Sequence, residues 1–110
     1  MSGASQQVHE DIFALIGKAE EIEQAARAMK AISHPLRLRI LCVLYSGEIA
    51  VQEIVEACGT TQSNISQHLG ILRDKKILKS RKQANKVFYR IADPRILALV
   101  SMMRQVFCEI

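Results

Sequence analysis

The side chains best suited to metal or redox chemistry in this 110-residue chain are three thiols, Cys42, Cys58 and Cys108, and three imidazoles, His9, His34 and His68. The N-terminus is polar and acidic, unlike a secretory signal, and no apolar run approaches the roughly 18 residues that a membrane span needs. A cytoplasmic chain is therefore expected, where three cysteines argue against a disulfide framework and leave redox, metal-binding or core roles open. The histidines fall in a tail, a turn and a helix, not in a ligand cluster of the kind zinc or copper requires. No Gly-rich phosphate loop, paired carboxylates with a base, or Ser/His/Asp set stands out, so the chain does not read as an enzyme.

A second chemistry is carried by hydroxyls, amides and cations. In the stretch TTQSNISQHLGILRDK, Thr60 to Lys75, a helix starting near Thr61 places Ile65, Leu69 and Leu72 on one buried stripe. Ser63, Ser66, Gln67 and Gly70 then point away from that stripe, with no charge until Arg73 and Asp74. A solvated face usually carries Glu and Lys, so a small polar face suits a DNA groove. From Lys75 to Arg90 there are seven bases (Lys75, Lys76, Lys79, Arg81, Lys82, Lys86, Arg90) and no acid, whereas Met1 to Glu56 holds eight acids against five bases. A basic patch of this kind is the footprint of polyanion binding; a solvated hairpin is the plainer reading.

The elements that must position these groups follow from periodicity and punctuation. The composition, 49% hydrophobic and 24% charged, suits one mostly helical domain. Residues 1–7 read as a disordered lead and 8–110 as the folded domain. Val8, Ile12, Leu15, Ile16, Ala19, Ile22, Ala26 and Met29 recur at helical spacing through Ile32, with Gly17 as a break. That helix offers more apolar surface than one small domain can cover, so either dimer contact or packing inside the monomer is open. Ser33 or His34 caps the next helix, with Pro35 at its first position and Leu36, Ile40, Leu41 and Leu44 inward. Ile49 and Val51 read as a short strand or the approach to a helix from about Val51 to Ala57, closed by Gly59 in the left-handed region. The polar-faced helix follows, which makes a helix-turn-helix.

Ile77 to Gln83 and Lys86 to Ile91 form a hairpin around Ala84-Asn85, in which Asn is expected to take the positive φ; Val87, Tyr89 and Ile91 share one side. Asp93 and Pro94 start a last helix whose Ile96, Leu97, Leu99, Val100, Met103 and Phe107 spread widely round it and ask for a cover, most simply a second copy of the chain. The fold expected is mainly α with a β-hairpin wing, a winged helix-turn-helix in the order α1-α2-α3-α4-β-β-α5.

Three motifs in order, Met29 to Leu41 (MKAISHPLRLRIL), Gln62-Ser63 through Ser66-Gln67-His68-Leu69, and Val87-Phe88-Tyr89-Arg90-Ile91, resemble the ArsR/SmtB family of homodimeric bacterial repressors over about residues 19 to 108. The resemblance implies a sequence-specific repressor of double-stranded operator DNA. Gln62, Ser63, Ser66, Gln67 and His68 would then face DNA, with Lys75, Lys76, Arg81, Lys82 and Lys86 on phosphates, while His68 could equally pack against the wing. It implies a homodimer through the first and last helices, here Ile22, Met29, Ile96, Leu99, Val100, Met103 and Phe107. Metal-sensing members carry a Cys-x-Cys-type motif before the reading helix or Asp/His with His/Glu on the last one; this chain has Glu53, Glu56 and Cys58 at the first place, and Asp93 with no later histidine at the second. No metal or other cofactor is expected.

The contexts of Cys42 (LRILCVL) and Cys108 (VFC) are similar instead to the SqrR, BigR and HlyU-like subgroup, which responds to persulfides and other reactive sulfur species. What this implies is a redox-sensing pair, Cys42 and Cys108, whose oxidation lowers operator affinity, with Arg37, Arg39 or Arg104 as sources of positive field. Cys58, just before the turn glycine, reads as core. Metal sensing, or a helical dimer recruiting an acidic protein through the basic hairpin, remains the alternative.

Overall fold

The computed structural model describes residues 10–14 and 18–108. Val8, His9, Leu15, Ile16, Gly17 and the expected lead lie outside the described residues. Residues 10–14 are helical, and α1 runs Ala19–Ile32 with Glu20 and Glu21 in its first turn and Lys30 in its last, as the helix dipole favours. The chain divides into two units between Lys30 and Ala31. No residue of α1 before Ala31 is buried.

In the second unit local signals set the boundaries. α2 (Pro35–Leu44) starts at His34, whose Nδ1 accepts the Leu36 N–H at 3.1 Å, with Pro35 in the first turn. β1 (Ile49–Ala50) leads directly into α3 (Val51–Cys58), which Gly59 closes at φ +68°, its N–H donating to Val55 C=O. α4 (Gln62–Asp74) is capped by Thr61, whose hydroxyl accepts the Asn64 N–H at 3.1 Å. β2 (Leu78–Gln83) and β3 (Lys86–Ile91) form the hairpin, in register from Leu78 opposite Ile91 to Gln83 opposite Lys86. Ile49 pairs with Tyr89, which gives an antiparallel sheet in the order β1-β3-β2. α5 (Pro94–Phe107) starts at Asp93, whose carboxylate takes hydrogen bonds from the Arg95 guanidinium and the Arg95 N–H and is held down at about 2.

The core lies inside this unit. Ile40, Leu41 and Leu44 of α2, Ile54 of α3 and Ile65, Leu69 and Leu72 of α4 are almost fully buried, closed below by Ile77, Leu78, Tyr89, Ile91 and Val100. The predicted α4 stripe and the inward faces of α2 and β3 are as expected, except that Leu36 and Val87 are only half-buried. Two expectations change. Positive φ at the hairpin turn belongs to Ala84 (φ 56°) rather than Asn85, because the first of the two turn positions carries the reversal. Val100, expected at a dimer surface, is 2% exposed and packs into the core of its own chain.

Candidate nucleic-acid interface

Burying Ile65, Leu69 and Leu72 fixes the roll of α4, and that leaves Gln62, Ser63, Ser66 and Gln67 exposed together. Beside them the hairpin stands off to form a cleft of about 530 Å3 lined by Gln62 and Ser66 of α4, Asn85 of the hairpin turn and Lys86 at the start of β3, and Gln52 and Glu53 at the start of α3. The structure thus brings the predicted polar helix face and the wing tip to one surface.

The cations differ in how free they are. Lys75, Lys76, Lys82 and Lys86 are exposed, and none of them has an ion pair among the described residues. Arg81 is committed: its Nε and a terminal nitrogen reach Glu48 Oε1 at 2.7 and 2.6 Å, its other terminal nitrogen donates to Gln83 at 2.7 Å, and its guanidinium lies 4.7 Å from the Phe88 ring centroid. The Arg81 hydrogen bond holds the Glu48 carboxyl below its usual range.

His68, half-buried, does not share the outward face. Its Nδ1 accepts from Arg37 Nε at 3.1 Å and its ring sits 4.6 Å from that of His34, so it is turned toward the start of α2 instead of the wing. Sequence reasoning missed this, because Arg37 and His68 are 31 residues apart and neither has a local reason to seek the other.

Among the sulfurs, Cys58 is buried, and burial pushes its thiol up against the smaller opposing pull of Arg39. Cys42 is half-buried on α2 and Cys108 exposed just past α5. Arg104 of α5 lies 5.3 Å from the ring centroid of Tyr45, the residue just past α2. The Tyr45 N–H donates to Cys42 C=O and the Cys108 N–H to Arg104 C=O, so each cysteine is about one turn from that contact. Of the three arginines considered as a source of positive field, Arg39 bonds the Cys58 carbonyl and Arg37 bonds His68 and the Ala31 carbonyl, while Arg104 is at the junction. No group of three or more His, Cys, Asp or Glu that could hold a metal occurs among the described residues, and no helix there is long and apolar enough to cross a membrane.

The expected dimer residues Ile22, Met29, Leu99 and Phe107 are exposed, Ile96 and Met103 half-buried. Met102 and Val106, exposed beside them, were missed although they stand three and seven residues after Leu99.

The family described as bacterial regulatory protein, arsR family, matches residues 34–80. The biofilm growth-associated repressor of Xylella fastidiosa is 35% identical over 85 residues, 77% of this chain and 75% of that protein. The structure of HlyU from Vibrio cholerae is similar with a TM-score of 0.76 at 32% identity, covering 80% of this chain and 96% of that one. That of Mb0332 from Mycobacterium bovis, described as a homodimeric winged helix-turn-helix DNA-binding domain, reaches 0.77 at 33% identity, covering 84% and 85%. On sequence and fold together, the chain belongs to the ArsR family of bacterial regulatory proteins, a winged helix-turn-helix transcription regulator and not an enzyme.

Proposed function

We propose that the chain is a cytoplasmic homodimeric repressor that grips a two-fold operator when reduced and releases it when persulfide links Cys42 to Cys108. The reading helix is α4, whose outward amides and hydroxyls enter successive major grooves about 34 Å apart. Lys75, Lys76, Lys82 and Lys86 supply phosphate contacts. The homodimeric Mb0332 and the exposed apolar residues of α1 and α5 support the paired assembly.

The observation that carries the sulfur reading is the Tyr45–Arg104 contact, which brings the end of α2, one turn after Cys42, to the last turn of α5, one turn before Cys108. One cysteine thiolate attacks the outer sulfur of a hydropersulfide, forming a protein persulfide and releasing the donor's thiol. The second thiolate then attacks the cysteine sulfur of that persulfide, forming the disulfide and expelling hydrosulfide. If the second cysteine is first persulfidated in the same way, its terminal sulfur attacks and one extra sulfur stays in the link. The bond would tie α2, which leads into the helix-turn-helix, to α5. A coupling of about 1 to 3 kcal/mol would weaken operator binding roughly 5- to 150-fold.

Cys42→Ser and Cys108→Ser should each keep operator binding and lose the response to persulfide in a gel shift. Intact mass should show the link in the parent and in Cys58→Ser. Release of both single variants like the parent would defeat the dithiol reading.

A further inference from the structure

One guanidinium joins the reading helix to the rest of its unit. Arg37 donates from Nε to His68 Nδ1 at 3.1 Å and from a terminal nitrogen to the Ala31 carbonyl, in the last turn of α1, at 2.9 Å. An arginine is always protonated and only donates, so His68 Nδ1 must carry a lone pair, and the ring must be the neutral form with its proton on Nε2. His34 obeys the same rule, since its Nδ1 accepts the Leu36 N–H that caps α2. The two neutral rings lie 4.6 Å apart at a tilt of 39°.

We propose that Arg37 and His34 are positioning residues for α4, which hold it through the neutral His68 ring, so that operator affinity is lost as that ring takes up a proton. The inference rests on α4 being the reading helix. A proton on His68 Nδ1 would turn the acceptor into a donor aimed at another donor, and would set an imidazolium beside Arg37. Among the described residues no carboxylate faces that charge. The groups facing His68 are His34 and Arg37, and the crevice of about 430 Å3 that it shares adds Arg39 and Cys58; no carboxylate lines it among the described residues. Burial, His34 and Arg37 all push the His68 ring below its usual range, in that order, in keeping with a ring built to stay neutral. The contribution is complete above the ordinary histidine pKa of about 6.5 and is lost as pH falls through the lower value of the folded chain.

The test is fluorescence anisotropy of a labelled operator duplex with reduced protein at constant ionic strength, from about pH 8 to about pH 5.5, the range in which histidine titrates. The parent should lose affinity on acidification, by at most about tenfold per pH unit for each of the two His68 rings of the dimer. His68→Gln keeps an acceptor for Arg37 but cannot be protonated, so its profile should be shallower than the parent's whatever its absolute affinity. His68→Leu and Arg37→Ala should be weaker than the parent at pH 8, the difference should shrink as the parent is acidified, and their effects at pH 8 should not add. An affinity that is unchanged or rises on acidification would overturn the proposal, a rise being what a His68–phosphate contact would give. A fall as steep in His68→Gln as in the parent would overturn it too. Gln62→Ala separates the two levels of reading. It should weaken binding throughout with the pH dependence intact; no weakening in Gln62→Ala and Gln67→Ala would remove α4 as the reader, whereas weakening there with a His68→Gln profile as steep as the parent's would remove only the positioning role.

Discussion

Cation by cation, the basic run from Lys75 to Arg90 does not act as one patch. The sequence shows seven positive charges but not which of them is already engaged, since Glu48, the partner of Arg81, lies 33 residues away. That contact was illegible because it depends on β1 lying beside β3, which places Glu48 next to the hairpin. Lys82 has no such partner among the described residues. Lys82→Ala should therefore flatten the dependence of log K on log salt by about 0.9 per protomer, the slope carried by one phosphate contact. Arg81→Ala should flatten it by less, because Glu48 already holds two of its N–H groups. Titrating operator affinity against salt for both variants checks the ranking, and equal slopes for Lys82→Ala and the parent would take the wing tip off the DNA.

At the scale of elements, nearly every boundary was written locally, in Pro35 and Pro94 at helix starts, Gly59 after α3, and Thr61 and Asp93 as caps. The end of α4 was not, because it uses a residue that gives no warning. Lys76 takes φ 61° and donates to Arg73 C=O, Ile77 donates to Leu72 C=O at 3.0 Å, and Ile77 and Leu72 are both buried. This is a Schellman ending, in which glycine is the usual residue at the left-handed position. A lysine there carries a backbone penalty of about 1 kcal/mol, in a place where its charge stands next to the proposed reading helix. Lys76→Gly should therefore raise the unfolding free energy, by at most about 1 kcal/mol, and yet weaken DNA binding. Urea melts and anisotropy on the same samples would show the opposite signs. A variant that is less stable would mean that the lysine side chain does more for the fold than its backbone costs.

For the whole molecule, sequence periodicity shows how much apolar surface α5 has but not how it is shared between the core and a partner. Val100 and Leu99 are adjacent and equally apolar, yet Val100 is 2% exposed and Leu99 45%. Leu99, Met102, Val106 and Phe107, the last 78% exposed, are what the chain leaves uncovered at this end. The two residues therefore predict different failures. Val100→Ala removes buried methyl groups and should cost about 2 kcal/mol of stability with the assembly unchanged. Leu99→Glu combined with Met102→Glu should leave the fold and its melting profile largely intact, because both side chains are exposed in the single chain, but should give monomers in sedimentation. Since two linked readers bind far more tightly than one, the monomer should lose operator affinity by about 100-fold or more while keeping weak, salt-sensitive binding to any duplex. If the double variant sediments as a dimer with full affinity, the last helix does not form the interface, and α1, with Ile22 and Met29 exposed, would have to carry it alone.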